Sequence, residues 1–161
     1  MRAKGTRFAA DAMLGSLCRK LRAFGFDTVY YRQGGDEGMM KLARAEDRVI
    51  LTSDRALFKR ASARAIPALL IEGKTDGRRI SSLLRSAREA RVRIERGPPL
   101  CSACDGDLEV IPPLAAASGV PASVLRRHRL FFRCENCGKY YWRGGHWKKL
   151  SNLQRAFGHS A

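Results

Sequence analysis

Four of the five cysteines form two pairs with two residues between their members, Cys101-x-x-Cys104 and Cys134-x-x-Cys137. This spacing lets both sulfur atoms of a pair point at one tetrahedral ion, and two such pairs complete a closed four-sulfur zinc site. Gly106 and Gly138 follow the pairs and suit the tight turns of such a site. The sequence therefore predicts one Zn²⁺ that is structural, because four thiolates leave no open position for chemistry.

Other roles for these cysteines fit less well. Two disulfide bonds would need an oxidising compartment, and a redox Cys-x-x-Cys would need no second pair. The 29 residues between Cys104 and Cys134 exceed the compact zinc template, but an inserted hairpin and helix would accommodate them, since loop closure costs little extra with length. The fifth cysteine, Cys18, lies on the apolar side of a predicted helix and is expected to be a buried, inert thiol.

Three aspartates, Asp11, Asp36 and Asp54, each stand where a predicted strand or its following loop gives way to a predicted helix. In a parallel sheet such junctions share the carboxyl edge, where open α/β folds build their sites. Carboxylate oxygens at that edge could bind Mg²⁺ or Mn²⁺. The bound ions would hold an attacking water and stabilise the leaving oxygen of a phosphodiester.

Helix capping is the competing role for each of these aspartates, because Asp is a favoured N-cap residue. Three together favour the metal site, because a chain with 31 Lys or Arg residues against 15 Asp or Glu residues should otherwise keep acidic charge away from a polyanionic partner. Glu37 and Asp76 occupy equivalent junctions and are candidates for a fourth acidic ligand. Asp105 and Asp107 belong to the turn of the first cysteine pair and are expected to shape it.

The elements that must position these side chains alternate between strand and helix over the first 95 residues. The predicted strands cover residues 6–10, 27–31, 48–52 and 66–71, and the predicted helices cover 14–24, 36–47, 54–64 and 76–91. Four βα units in a row imply a parallel sheet flanked by helices. The pattern stops at Arg96-Gly97-Pro98-Pro99, so we expect an α/β domain over residues 1–97 and a zinc-binding domain with a separate core over 98–161.

Charge indicates the class of partner. Lys plus Arg number 31 against 15 for Asp plus Glu, a formal net charge of +16, which favours a polyanion such as nucleic acid. No apolar run approaches the length of about 20 residues needed for a membrane span, and the first residues lead into no apolar stretch typical of a signal peptide. We therefore expect a cytoplasmic protein that does not bind membranes. The motifs of dinucleotide, P-loop and nucleophile-elbow sites are missing.

Nine Lys or Arg residues fall between Arg126 and Arg155, interleaved with aromatic residues. Cations with aromatic neighbours suit single-stranded RNA, because phosphates meet the cations while bases stack on the rings. Phe131, Phe132 and one of the two tryptophans are expected to form the core of the small zinc domain instead. The candidate RNA contacts around the Gly144-Gly145 turn are Arg143, His146, Lys148 and Lys149.

Several motifs in a fixed order resemble those of one protein family. They are Asp11-Ala-Met-Leu-Gly-x-Leu, Leu21-Arg22, Gly25-Phe26-Asp27-Thr28, Ile50-Leu51-Thr52-Ser53-Asp54-Arg55 and Cys134-x-x-Cys137-Gly138-Lys139-x-Tyr141-Trp142-Arg143-Gly144-x-His146-Trp147. Over residues 6–150 the chain is similar to the PIN-like ribonuclease domain named for the carboxy-terminal part of the worm Mut-seven protein, with its zinc ribbon.

This resemblance implies a PIN-like α/β fold and metal-dependent RNA cleavage, with Asp11, Asp36 and Asp54 at the family's acidic positions. Arg22, within one of the motifs, is a further candidate RNA contact. The partner is expected to be RNA, with ribosome or tRNA association as an extension, and no protein partner is indicated. The alternatives are a non-catalytic RNA- or ribosome-binding protein and a nuclease that cuts DNA.

Overall fold

The structure is a computed structural model that describes residues 5–158, except for the side chains of residues 146–148. Its first half contains β1 (Arg7–Ala10), α1 (Gly15–Ala23), β2 (Asp27–Tyr30), α2 (Gly35–Ala45), β3 (Val49–Thr52), α3 (Arg55–Ala63), β4 (Ala68–Leu70) and α4 (Asp76–Glu89). A short helical turn, Ala12–Leu14, joins β1 to α1. The alternation of strands and helices predicted from the sequence is confirmed, with each boundary within a few residues.

The four strands form one parallel sheet in the order β2-β1-β3-β4. Successive side chains on a strand point to opposite faces, so Phe8 and Ala10 pack in the core beneath α1 and α4, while Ala9 packs in the core beneath α2 and α3. Both cores are closed by apolar residues spaced three and four apart on the helices, such as Leu14, Leu17 and Leu21. The fold class predicted from the sequence, a parallel sheet flanked by helices, is confirmed.

The second half contains β5 (Leu108–Ile111), α5 (Pro113–Ala116), α6 (Ala122–Arg127), β6 (Phe131–Cys134), β7 (Tyr140–Trp142) and α7 (Gly145–Gln154). The strands β5, β6 and β7 pair antiparallel in that order, and we call them the ribbon sheet. The long segment between the cysteine pairs holds the two short helices α5 and α6. Ala116 and Val120 from this insertion pack on Phe131 to form a small third core.

The C-terminal segment packs on the first core rather than on the third. Leu150 and Leu153 of α7 contact the core beneath α1 and α4. Phe157, just after α7, places its ring 5.8 Å from that of Phe24 and 5.1 Å from that of Phe26. A division at residue 97 remains a prediction, and the core of the α/β part draws on residues well beyond it. Within residues 5–158, no helix is both long enough and apolar enough to cross a membrane.

Candidate functional site

The four paired cysteines converge on one point. All four sulfur atoms lie within 4.8 Å of one another, with the Sγ atoms of Cys101 and Cys137 3.7 Å apart and those of Cys104 and Cys134 3.4 Å apart. Four thiolates at Zn–S distances of 2.3 Å around a tetrahedral ion would be about 3.8 Å apart. The cluster could therefore hold a metal ion such as zinc, and its position at the base of the ribbon sheet is compatible with a zinc ribbon.

The residues around the cysteine cluster favour the thiolate form of Cys101, which is the form that binds a metal ion. Tyr141 Oη lies 3.0 Å from Cys101 Sγ. Burial disfavours the Cys101 thiolate, but hydrogen bonds from Tyr141 and from the backbone of Cys104 and Ala103 outweigh it and lower the pKa of Cys101 to about 6. Burial and the neighbouring cysteines raise the pKa of Cys104 to about 12. A bound cation would relieve this crowding of thiolates.

Arg22 ties the first cysteine pair to the α/β sheet. It is 7% exposed; Nε donates to the Thr28 carbonyl at 2.7 Å and Nη1 donates to the carbonyls of Ser102 and Ala103. Asp105 faces Arg22 at 3.5 Å and accepts a hydrogen bond from Thr28 N. These internal contacts bury the guanidinium and favour a structural role for Arg22, and its contact with RNA stays a prediction.

Asp11 follows β1, the second strand of the sheet, and is 9% exposed. Its Oδ1 accepts from Met13 N at 2.8 Å, which caps the helical turn before α1. Its Oδ2 accepts from the Thr52 hydroxyl and from Ser53 N at the end of β3. The carboxylate is thus fixed between the ends of two neighbouring strands.

Asp54 and Asp36 follow the two strands that flank β1. Asp54 is the N-cap of α3, where its Oδ1 accepts from Ala56 N and Leu57 N, and its own N–H donates to the Thr52 hydroxyl at 2.9 Å. Thr52 therefore links Asp54 to Asp11. Asp36 lies in the first turn of α2 and forms an ion pair with Arg60 of α3.

The three aspartates thus lie at the carboxyl ends of three adjacent strands, β2, β1 and β3, which we call the acidic edge. They do not form a tight cluster: among the described residues, the cysteine quartet is the one group of three or more His, Cys, Asp or Glu with ligand atoms within 4.8 Å. Of the two further acidic candidates, Glu37 pairs with Arg64, and Asp76 pairs with Lys20 at 2.6 Å.

Comparison with known proteins assigns the chain to a family. The family model described as Mut7-C RNAse domain matches residues 6–154, which is nearly the whole chain. The chain belongs to the Mut7-C RNAse domain family. No curated protein and no solved structure matches it significantly. The resemblance inferred from the motifs is confirmed, and the family is of a ribonuclease type, which implies RNA as the substrate class.

The basic candidates of this Mut7-C chain lie beside the ribbon sheet. Arg143 and Lys149 line a groove of about 830 Å³ between α1, α7 and the ribbon sheet. The side chains of His146 and Lys148, and that of Trp147, lie outside the described residues. Phe131 is fully buried in the ribbon core, as expected. Phe132 was expected in the same core but is half-buried and lines the groove, because neighbouring residues of a strand point to opposite faces of the sheet.

Sequence reasoning missed two parts of this arrangement. Arg19 and Lys20 line the same groove from α1, and the polar positions of that amphipathic helix were the signal that could have drawn attention to them. Thr52 joins Asp11 to Asp54 through its hydroxyl, and its place between a buried strand and an N-cap aspartate was a weaker signal.

Proposed function

We propose that this Mut7-C chain hydrolyses RNA phosphodiester bonds with Mg²⁺ or Mn²⁺ held by Asp11, Asp36 and Asp54. One observation carries the proposal: three carboxylates follow three adjacent parallel strands in a chain of an RNAse domain family. Ligand sites of open α/β sheets lie at this edge, and cations bound there would stabilise the attacking and leaving oxygens of an in-line displacement at phosphorus.

The donor chemistry of the acidic edge fits such an ion. Mg²⁺ keeps several waters and is commonly bound through only one or two carboxylates together with substrate phosphates, so a tight three-carboxylate cage is not required. Asp54 is exposed and uses only Oδ1 for capping, which leaves its Oδ2 for a ligand. Glu37 and Asp76 remain the candidates for a fourth acidic ligand.

The chain's own residues orient the reaction. Hydrogen bonds from Thr52, Ser53 and Met13 hold the Asp11 carboxylate in one rotamer, so it presents the same lone pairs to every ligand. Asp36 reaches the edge from α2, and Arg60 balances its charge in the absence of a cation. When bound, Mg²⁺ or Mn²⁺ supplies activation of water and stabilisation of the leaving oxygen.

The cysteine quartet has a structural role in this proposal. We assign it one Zn²⁺ bound by Cys101, Cys104, Cys134 and Cys137, because four sulfur ligands suit zinc and close its coordination. The ion stabilises the ribbon sheet, whose own apolar core is small. Residues 98–161 then form a zinc-ribbon domain with a basic C-terminal segment, and residues 1–97 form the PIN-like domain.

RNA would be held by the basic residues around the Gly144-Gly145 turn: Arg143, His146, Lys148 and Lys149. The net charge of +16 supports a polyanionic ligand. The cytoplasm is the compartment that we propose, since all five cysteines of the chain are free thiols and zinc ligation needs reduced cysteines. Association with ribosomes or tRNA is a further proposal.

A non-catalytic RNA-binding protein is the second candidate function. It is favoured by the bonds that the aspartates already make, since Asp11 and Asp54 both cap helical segments and Asp36 is paired with Arg60. Such contacts are sufficient to account for all three residues without a reaction.

One assay separates the two functions. Purified zinc-loaded protein is incubated with end-labelled single-stranded and hairpin RNA, and with DNA of the same sequence, with Mn²⁺, Mg²⁺ or no added divalent ion. We expect RNA cleavage only with the added ion. Binding without cleavage under every condition would contradict the nuclease and leave the RNA-binding protein, and cleavage of DNA alone would reassign the substrate.

A further inference from the structure

The groove beside the ribbon sheet combines a flat aromatic wall with a basic rim. Val110, Phe132 and Tyr141 are direct cross-strand neighbours on β5, β6 and β7. Because side chains alternate between the faces of a sheet, these three share the face that lines the groove, opposite the face that packs on α5 and α6. Val110 is 65% exposed and the side chains of Phe132 and Tyr141 are partly exposed, so a ligand can reach the row.

The rim of the groove has one sign of charge. Arg19, Lys20, Arg143 and Lys149 line it, and no acidic residue is among the described residues that do so. Lys20 also pairs with Asp76, and an apolar wall with a basic rim is complementary to a chain that carries both anions and flat apolar rings. Single-stranded nucleic acid has this chemistry, because phosphates meet cations while unpaired bases stack on aromatic side chains. An acidic peptide would also supply anions, but it lacks the regular succession of flat rings that the bases of a nucleic acid provide.

One residue of the groove rim reaches towards the carboxyl side of the parallel sheet. Lys20 Nζ lies 3.2 Å from Ser16 Oγ in the first turn of α1 and 2.6 Å from the Asp76 carboxylate. Asp76 begins α4 at the carboxyl side of the parallel sheet, the side that carries Asp11. A single nucleic-acid strand bound along α1 would therefore run from the ribbon sheet towards the carboxyl side of the parallel sheet, where Asp11 lies.

We propose that this groove binds unpaired RNA, with a base stacked on Phe132 and Tyr141 and the adjoining phosphates on Arg19, Arg143 and Lys149. This inference rests on the proposed ribonuclease function, which supplies RNA as the substrate. A groove of this kind would make the enzyme selective for single-stranded segments. Bases in a duplex are stacked on each other and cannot reach the wall. Tyr141 is held by its hydroxyl contacts to Cys101 and Ser102, which keeps its ring in place as half of the wall.

The test measures affinity rather than cleavage. Fluorescence anisotropy of zinc-loaded protein, without added Mg²⁺ or Mn²⁺, is followed with labelled oligouridine and oligoadenosine of ten nucleotides and with a blunt RNA duplex. Phe132→Ala removes the ring, Phe132→Leu keeps apolar volume without a flat face, and Phe132→Tyr keeps the ring. We expect Phe132→Ala and Phe132→Leu to weaken single-strand binding by at least about fivefold, Phe132→Tyr to retain it, and duplex binding to change little.

The rim is tested by the salt dependence of binding. Arg19→Ala with Lys149→Ala should lower the slope of log affinity against log salt by about 0.7 for each phosphate that the protein no longer neutralises. Arg126→Ala with Arg127→Ala is the matched control, because it removes the same charge from exposed positions on α6 and should change the slope less. Zinc content and melting temperature verify that each variant is folded.

The outcomes for the groove and for the enzyme are separable. Unchanged single-strand affinity in Phe132→Ala, or equal losses for duplex and single strand, would overturn the groove proposal even if the protein cleaves RNA. Loss of single-strand binding in the ring variants, in a protein that cleaves nothing with Mn²⁺, would support the groove and contradict the nuclease. Equal effects of the rim pair and the α6 pair would mean that only the overall charge attracts RNA.

Discussion

Arg22 and Lys149 are both basic side chains on helices that border the ribbon sheet, yet their surroundings differ. Arg22 is buried and donates to three carbonyl groups, whereas Lys149 is exposed at the rim of the groove. A guanidinium presents donors in a planar fork, which suits it to join several acceptors at once. Sequence position could not distinguish the two roles, because two of the acceptors of Arg22 come from residues about 80 positions away.

Arg22→Lys should destabilise the fold without weakening RNA binding by the folded protein. A lysine reaches fewer of the carbonyl groups, which leaves buried acceptors unpaired, and we expect the free energy of unfolding to fall by about 1–3 kcal/mol. Chemical denaturation measures the loss, with Arg19→Lys on the exposed side of the same helix as the control. A free energy of unfolding equal to that of wild type, together with weaker RNA binding by Arg22→Lys, would show that Arg22 contacts RNA.

A second buried arginine, Arg48, pairs with Asp27, and this ion pair should make the stability of the fold depend on pH. Arg48 is 5% exposed, with Nη1 2.6 Å from Asp27 Oδ1 and 3.1 Å from the Phe8 carbonyl. Burial alone would raise the pKa of Asp27, but the hydrogen bond and charge of Arg48 outweigh it and hold that pKa below its usual range. A carboxyl with a lowered folded pKa stabilises the protein above its unfolded value, near 3.9, and this contribution is lost as the pH falls through the folded value.

Wild type should therefore be more stable than Asp27→Asn at pH 7, and the difference should shrink as the pH falls below about 4. Denaturation of both proteins between about pH 7 and about pH 2.5 provides the measurement, because this window crosses the unfolded pKa, near 3.9, below which the stabilisation by the lowered folded pKa begins to be lost. A difference that stays constant across this range would contradict the ion pair as its source.

At the scale of elements, the α/β half follows from local signals. Short runs of strand-favouring residues, and helices with apolar residues three and four apart, predicted all eight elements of the parallel sheet and its flanking helices, because each helix buries the face that its pattern marks. The pattern did not predict where α7 packs. The choice between the ribbon sheet and the first core depends on the docking of Phe157 against Phe24 and Phe26, which no local pattern encodes.

Phe157→Ala tests this docking. Removal of a half-buried ring that contacts two core rings should lower the free energy of unfolding by about 1–3 kcal/mol. Leu114→Ala is the matched control, since Leu114 is 87% exposed and its truncation should cost less than about 0.5 kcal/mol. Equal and small losses in the two variants would contradict the packing of the C-terminal segment on the α/β core.

At the scale of the whole molecule, the cysteine site and the parallel sheet are coupled. The spacing of the cysteines was sufficient to predict their convergence, because two residues between thiolates fix the local geometry. The coupling was not predictable, since Arg22 and Thr28 meet the turn after Cys101 only through tertiary structure. The alternation of strands and helices along the chain was sufficient to predict that the aspartates lie at the carboxyl edge of the sheet. Their bonds to Thr52 and Arg60 depend on side-chain packing and were not predicted.

Removal of the metal should therefore affect both halves. Chelation should unfold the ribbon sheet, because its small core cannot replace the ion, and should lower the melting temperature of the α/β part without unfolding it at room temperature. Trp142 lies on β7 and Trp147 on α7, so the fluorescence of a Trp147→Phe variant follows the ribbon sheet alone while circular dichroism follows the helices. Metal analysis that finds no zinc, or chelation that leaves the tryptophan emission unchanged, would contradict the assignment.

The catalytic role that we propose for the acidic edge is tested by the rate at which variants of its three aspartates cleave RNA. The single-turnover rate of RNA cleavage in Mn²⁺ is compared for wild type and for Asp11→Asn, Asp36→Asn and Asp54→Asn, with zinc content and RNA affinity measured for each. An amide can still cap a helix but is a poor ligand for a hard cation. Asp47→Asn is the matched control, because it makes the same change at an exposed residue before β3, on the other side of the sheet. We expect a loss of about 100-fold or more in the three edge variants, with wild-type RNA affinity and an unchanged rate for Asp47→Asn. Cleavage at the wild-type rate in all three edge variants would contradict the catalytic role.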